Sequence, residues 1–174
     1  MHNRKSIRLP GYDYSSPGTY FITLCTQHRV PWLGRIDASG MHYSAVGQLA
    51  EDVWRDLPSR FPWVTADAFI AMPDHVHGII IISESEESMA ALTRQHTPRL
   101  NAFQRVVAHS ISTIVQSFKS QITRIGRHHG YPEFQWQRNY YERILPAGDA
   151  LERCRWYIRN NPRAWWMKHG GGGG

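Results

Sequence analysis

Residues 19–26, TYFITLCT, are β-branched and aromatic and follow a Pro-Gly turn signal, which predicts a strand. The period then changes. In HYSAVGQLAEDVWRDLPSRFP (42–62), Val46, Leu49, Ala50, Val53 and Leu57 recur at helical spacing, Ser44 stands where an N-cap belongs, and Pro58 and Pro62 stop the helix. VTADAFIAM (64–72) and HVHGIIII (75–82) predict two strands joined by a short turn at Pro73-Asp74, and hence an antiparallel hairpin. SESEES (83–88) is an acidic, solvated loop. Residues 89–109 carry only a hint of a helical turn at Phe103, Val106 and Val107. The clearest helix is SISTIVQSFKSQITRIG (110–126). Its apolar stripe is Ile111, Ile114, Val115, Phe118, Ile122 and Ile125, and Gly126 suits its C-terminal cap; Lys119, Arg124 and Arg127 lie off the stripe. YPEFQWQRNYYERIL (131–145) holds another strand. GDALERCRWYIRNNP (148–162) reads as a helix capped by Asp149, with Pro162 beyond its end.

The order is β, α, β, β, α, β, α. The first six elements match a split βαβ, ferredoxin-like antiparallel sheet, and the last helix is an addition, so the expected class is α+β. The length of 174 residues suits a single domain, placed at 1–169 with no repeat or linker, followed by a flexible glycine tail at 170–174.

Composition narrows the class. Two cysteines, Cys25 and Cys154, make neither a disulfide framework nor a zinc ribbon, and the N-terminus lacks an apolar h-region. The longest apolar run, Ile79–Ile82, is far too short for a bilayer. A cytoplasmic, nucleoid-associated protein with no membrane partner is expected. The net charge of +6 is unevenly spread: residues 1–93 hold 7 Lys/Arg against 10 Asp/Glu, and residues 94–174 hold 13 against 4. Arginine outnumbers lysine 17 to 3, and guanidinium forks match phosphate oxygens. The basic half is a candidate nucleic-acid footprint, although a generally basic surface would give the same balance.

Candidate chemistry lies in two places. Strand residues two apart share a face, so His75 and His77 can point at one divalent ion, or can simply hydrogen-bond at a strand end. On the last helix Tyr157 and Asn161 are four apart and share a face. They offer a nucleophile and a polar ligand, or else a core residue and an ordinary helix end.

MPDHVHGIII, followed by WQRNYYERI and WYIRNNP, resembles the single-tyrosine HUH transposases, and is most similar to the REP-associated tyrosine transposases. RKSIRLPGYDYSSPGTYFITLCTQHR and FKSQITR extend the resemblance over about Arg4 to Trp166. The resemblance implies a metal pair at His75 and His77, a third ligand at Asn161, and Tyr157 as nucleophile, with Tyr141 of NYYERI as the alternative. It implies single-stranded DNA cleavage and strand transfer through a 5′-phosphotyrosine, at hairpin-flanked repeats, with Mg²⁺ or Mn²⁺. Partners would be single-stranded or hairpin DNA, and the protein a monomer or homodimer. Two positions depart from that pattern: Asp74 stands where the family usually has asparagine, and LPAGDA follows YYERI where arginine and acidic residues are usual.

Lys119, Arg124, Arg127, Arg138 and Arg155 are candidate DNA contacts, with Trp136 and Trp165 as stacking surfaces. Two alternatives stay open: a metal-dependent phosphohydrolase, and a non-catalytic, domesticated nucleic-acid binder. The first lacks a third alternating histidine, since position 79 is isoleucine.

Overall fold

The computed structural model describes residues 17–83, 110–146 and 148–169. The expected loop beyond Ser83, the turn near Phe103, the N-terminal part of the resemblance and the glycine tail lie outside them.

The strands are β1 (Gly18–Cys25), β2 (Gly34–Asp37), β3 (Gly40–Tyr43), β4 (Val64–Met72), β5 (His75–Ile82) and β6 (Tyr141–Leu145). The helices are α1 (Ala45–Arg55), the single turn α2 (Leu57–Arg60), α3 (Ile111–His128) and α4 (Asp149–His169). Four strands form one sheet in the order β4-β5-β1-β6, every neighbouring pair antiparallel. With the β2–β3 ribbon set aside, that is the ferredoxin-like order, so the protein is α+β with an added C-terminal helix.

Alternation along the strands gives each sheet face its own cover. Tyr20, Ile22, Leu24, Val76, Ile80 and Ile82 face α1 and α3 and build the main core with Val53, Trp54, Ile114 and Phe118. Phe21, Ile79 and Leu145 face the other way and pack on Ile158 of α4. Ser44 caps α1, accepting from Gly47 N at 3.1 Å, and Ser110 caps α3, accepting from Thr113 N at 3.3 Å.

Several expected boundaries move. His42 and Tyr43 belong to β3, so α1 starts after Ser44, and the β2–β3 hairpin was not anticipated. Pro58 does not stop a helix but opens α2, where its missing N–H is not needed. Gly126 is buried inside α3, and its carbonyl accepts from Tyr131 N at 3.0 Å across the turn that ends the helix, which uses Gly130 at φ +91°. The last helix runs through Pro162 to His169. Proline there forfeits one backbone bond, but the helix is also packed against β4 and the β2–β3 ribbon, and that packing outweighs the local preference.

Candidate active site

His75 and His77 enter on β5, an inner strand, with side chains on the α4 face of the sheet. The register sets His77 between Thr23 and Ile70, and His75 between Cys25 and Met72. Both rings are pinned through Nδ1. His75 Nδ1 lies 2.6 Å from Asp74 Oδ1, and His77 Nδ1 lies 2.8 Å from Thr23 Oγ1. A carboxylate can only accept, so His75 carries its proton on Nδ1; the same tautomer at His77 donates to Thr23. Each Nε2 is then left with a free lone pair, and the two stand 3.2 Å apart.

The pocket around them is dry. His77 is 6% exposed, and Phe21 stacks on it with ring centroids 5.3 Å apart. Burial, together with the charges of His75 and Arg29, holds the His77 imidazolium down to about 3, so the ring is neutral at physiological pH. Burial alone would push Asp74 up, but the hydrogen bond and charge of His75, with Arg29 beyond, bring it below its ordinary value. Asp74 is therefore an anion able to hold its histidine. Its backbone is fixed as well, because Asp74 O accepts from both Thr26 N (2.9 Å) and Thr26 Oγ1 (3.0 Å).

The helix α4 brings the phenol. Ile158, 1% exposed, locks the helix rotation against Phe21, Ile79 and Leu145. Tyr157 beside it therefore hangs at the edge of the contact, 46% exposed, with its hydroxyl 3.3 Å from His77 Nε2. Its ring meets His77 edge-on at 5.3 Å and Phe21 at 6.1 Å. One turn later is Asn161, whose buried Nδ2 finds no partner among the described residues.

The other expected site residues fall elsewhere. Tyr141 pairs with Thr23 of β1 and shares the histidine face, but β1 lies between it and His77, two inter-strand spacings or roughly 10 Å. It is 40% exposed, whereas Tyr140 packs on the main core with its hydroxyl 3.2 Å from Ser112 Oγ. Lys119, Arg124 and Arg127 lie together on α3, and exposed Arg138 lies nearby, its carbonyl accepting from Lys119 Nζ at 3.1 Å. Arg155 has protein partners instead of an open face: Nε and Nη2 donate to Asp67 at 2.9 and 2.5 Å, and Nη1 donates to Glu152 at 2.5 Å. Trp136 is 8% exposed and sits in the core, so it offers no stacking surface; Trp165 stacks on His169 at 4.6 Å.

The donor chemistry suits a divalent ion. Two imidazoles bring their Nε2 atoms within 3.2 Å of each other, each ring held from behind by an oxygen partner, as metal-binding histidines are. With the protons on both Nδ1 atoms, the two Nε2 lone pairs converge on the place a cation would take. Among the described residues no three His, Cys, Asp or Glu side chains gather as a metal site. An ion here would draw on the Asn161 amide, and on oxygens of substrate or solvent, for its other ligands.

Three contributors escaped sequence reasoning. Thr23 is one of several strand threonines, and only the β1–β5 register selects it. Phe21 is marked by the same register. Asp67 sits where the β4–β5 register shifts between Ala66 and Phe69, and an irregular strand of this kind has no sequence signature here. Its carbonyl accepts from Trp54 Nε1 at 3.2 Å while its carboxylate holds Arg155, so one residue ties α4 to the helix layer beneath the sheet.

No family model matches the chain. An uncharacterized protein of Haemophilus influenzae is 36% identical over 165 residues, covering 95% of this chain and 91% of that one, and the chain belongs to the same family as that protein. Among solved structures, a REP-associated tyrosine transposase bound to a REP hairpin superposes with a TM-score of 0.58 at 18% identity, over 94% of this chain and 74% of that one. At that identity the likeness establishes a shared fold. No helix among the described residues is long and apolar enough to cross a membrane.

Proposed function

We propose that this protein is a transposase-like enzyme that cuts and rejoins single-stranded DNA through a covalent bond between Tyr157 and a 5′ phosphate. The observation that carries this reading is the phenol of Tyr157 at 3.3 Å from the Nε2 of His77, itself 3.2 Å from the Nε2 of His75. One phosphate seated at the histidine pair would lie within reach of the hydroxyl, which is the proximity a covalent mechanism requires.

A divalent ion such as Mg²⁺ or Mn²⁺, held by His75, His77 and Asn161, would supply Lewis-acid polarisation of a non-bridging phosphate oxygen. The chain's own residues do the rest. Asp74 and Thr23 hold the imidazoles in the tautomer that leaves both Nε2 atoms free. Phe21 covers the His77 ring, and Ile158 fixes the helix that carries Tyr157. The Tyr157 oxygen attacks phosphorus as the bond to the 3′ oxygen breaks. The phenolic proton is lost, and the departing 3′ oxygen gains one. The ester keeps the energy of the broken bond, so an incoming 3′ hydroxyl reverses the step and joins strands without a nucleotide cofactor.

The fold neighbour's REP hairpin suggests the substrate class: single strands flanked by a hairpin, at repeat elements. The cytoplasm, at the nucleoid, is the compartment for such an enzyme. A metal phosphohydrolase would need no phenol at the histidines.

The test is an incubation of protein with a labelled hairpin-bearing single strand and Mn²⁺, followed by a denaturing gel. A protein–DNA band that disappears in Tyr157→Phe, with binding retained, is the expected result. A band of equal strength in Tyr157→Phe would overturn the assignment.

A further inference from the structure

Away from the histidine face, an open groove of about 620 Å³ runs along α3, lined by Lys119, Thr123, Arg124, Arg127, His128 and Trp136 among others. Its charge is one-sided. Among the described residues no Asp or Glu lines it, and neither Arg124 nor Arg127 has a carboxylate partner, as is true also of Arg60, Arg138, Arg143, Arg159 and Arg163. Other arginines are matched: Arg29 with Asp74, Arg55 with Glu51 and Asp52, Arg155 with Asp67 and Glu152. Lys119, Thr123 and Arg127 recur every four residues and so form one stripe of two turns, about 12 Å long.

Two buried groups make this more than a solvated face. Lys119 is half-buried and its ammonium donates only to carbonyls, Gln137 O at 2.5 Å and Arg138 O at 3.1 Å. Burial pulls its pKa below the ordinary lysine value, which an anion in the groove would offset. Trp136 packs its ring against Phe118 and Phe134, yet its buried Nε1–H finds no acceptor among the described residues. A buried N–H donor without an acceptor is costly.

The groove is joined to the histidine site through the end of β1. Cys25 pairs with His75 on one side, and its carbonyl accepts from Gln137 N at 2.8 Å on the other; Thr26 bridges to Trp136. The basic stripe is therefore separated from the catalytic face by little more than this edge of the sheet.

We propose that this groove grips the phosphodiester backbone of the nucleic acid at a point distinct from the phosphate that Tyr157 attacks. Lys119, Arg124 and Arg127 supply the charge, and the Thr123 hydroxyl supplies a neutral donor. The stripe length matches two or three consecutive phosphates. The inference rests on the function proposed above only in that the gripped molecule is the one being cut. The shared chemistry is the backbone, from either a single strand or the stem of a hairpin.

The test uses the full chain carrying Arg124→Gln and Arg127→Gln together, since both side chains are exposed and neither is placed in the catalytic machinery. Anisotropy with a labelled unpaired oligonucleotide, and separately with a blunt hairpin, is read across a salt series. Affinity should fall roughly tenfold at moderate salt, and the slope of log K against log salt should flatten by about 1.4 for a single strand or 1.8 for a stem. Loss confined to one of the two DNAs identifies the gripped portion and supports the proposal. If the double variant binds both DNAs as the parent does, with the same slope, the groove is not a backbone site, whatever happens to the adduct. If no adduct forms in any protein but the slope still flattens, the catalytic reading fails and the groove stands.

Discussion

Gly78 lies between His77 and Ile79 on β5, and the indole of Trp54 lies directly over it. A Cβ at position 78 would stand 2.3 Å from Trp54 Cη2, 2.7 Å from Cζ2 and 2.8 Å from Cζ3. Ordinary contact needs roughly 3.5 Å, so in Gly78→Ala the ring must withdraw by about an ångström. It has little freedom to do so. Trp54 is 4% exposed, stacks on Phe69 at 4.8 Å, meets Phe118 edge-on at 5.8 Å and donates Nε1–H to Asp67 O at 3.2 Å. Overpacking of this kind costs about 1–3 kcal/mol, and a stretched indole hydrogen bond adds about 1. Lower chain entropy in the unfolded state returns about 0.5–1. The expected net loss for Gly78→Ala is about 1–3.5 kcal/mol, read as a drop in the urea midpoint at constant m value. Trp54→Phe makes room, so Gly78→Ala should do less damage in that background, with a coupling of at least about 1 kcal/mol in the double-mutant cycle. A change in Gly78→Ala smaller than about 0.5 kcal/mol, or strictly additive single effects, would refute this packing argument.

Three further outcomes follow from the same geometry. Arg155→Met releases α4 from Asp67, so hydrogen exchange should quicken selectively in residues 149–169 and leave α3 unchanged, and uniform exchange would remove the tether. In metal-free protein the unfolded chain takes up a proton at His77 near pH 6.5 while the folded chain resists until about 3. Folded His77 thus binds fewer protons than unfolded, and stability must fall as pH drops through that window, by at most about 1.4 kcal/mol per unit. His77→Asn should flatten the decline between pH 7 and 5, and identical declines in both proteins would contradict a buried neutral ring. Mn²⁺ should raise the melting temperature of the parent by a few degrees and leave that of His75→Ala unmoved, and an equal rise in both would place the ion elsewhere.

The sheet and its helices were legible because their periods are clean. The run from Ile111 to Ile122 shows one helical face, and HVHGIIII shows a strand whose two histidines share a side. The four-strand order follows from the sequence of elements together with right-handed connections. What escaped depends on contacts distant in sequence. The β2–β3 ribbon is short and half exposed, so it leaves no periodic trace. Pro162 reads locally as a stop, yet the helix persists because it packs on other elements. At the site, residue type and spacing singled out His75, His77, Tyr157 and Asn161 as candidates, whereas Thr23 and Phe21 are marked only by register. Arg155 looked like its neighbours in a basic segment until the Asp67 carboxylate was found beside it. Trp136 looked like a surface aromatic, and only the packing of Phe118 and Phe134 shows that it is buried.

The central claim concerns a single oxygen atom, and mass spectrometry can locate it. Trypsin cuts after Arg155 and Arg159, releasing Trp156–Arg159 with Tyr157 inside, and after Arg138 and Arg143, releasing Asn139–Arg143 with Tyr140 and Tyr141 inside. After reaction with DNA and nuclease trimming, the account expects the residual nucleotide mass on the first peptide, at Tyr157. Nucleotide mass on the second peptide, with the first unmodified, would contradict it.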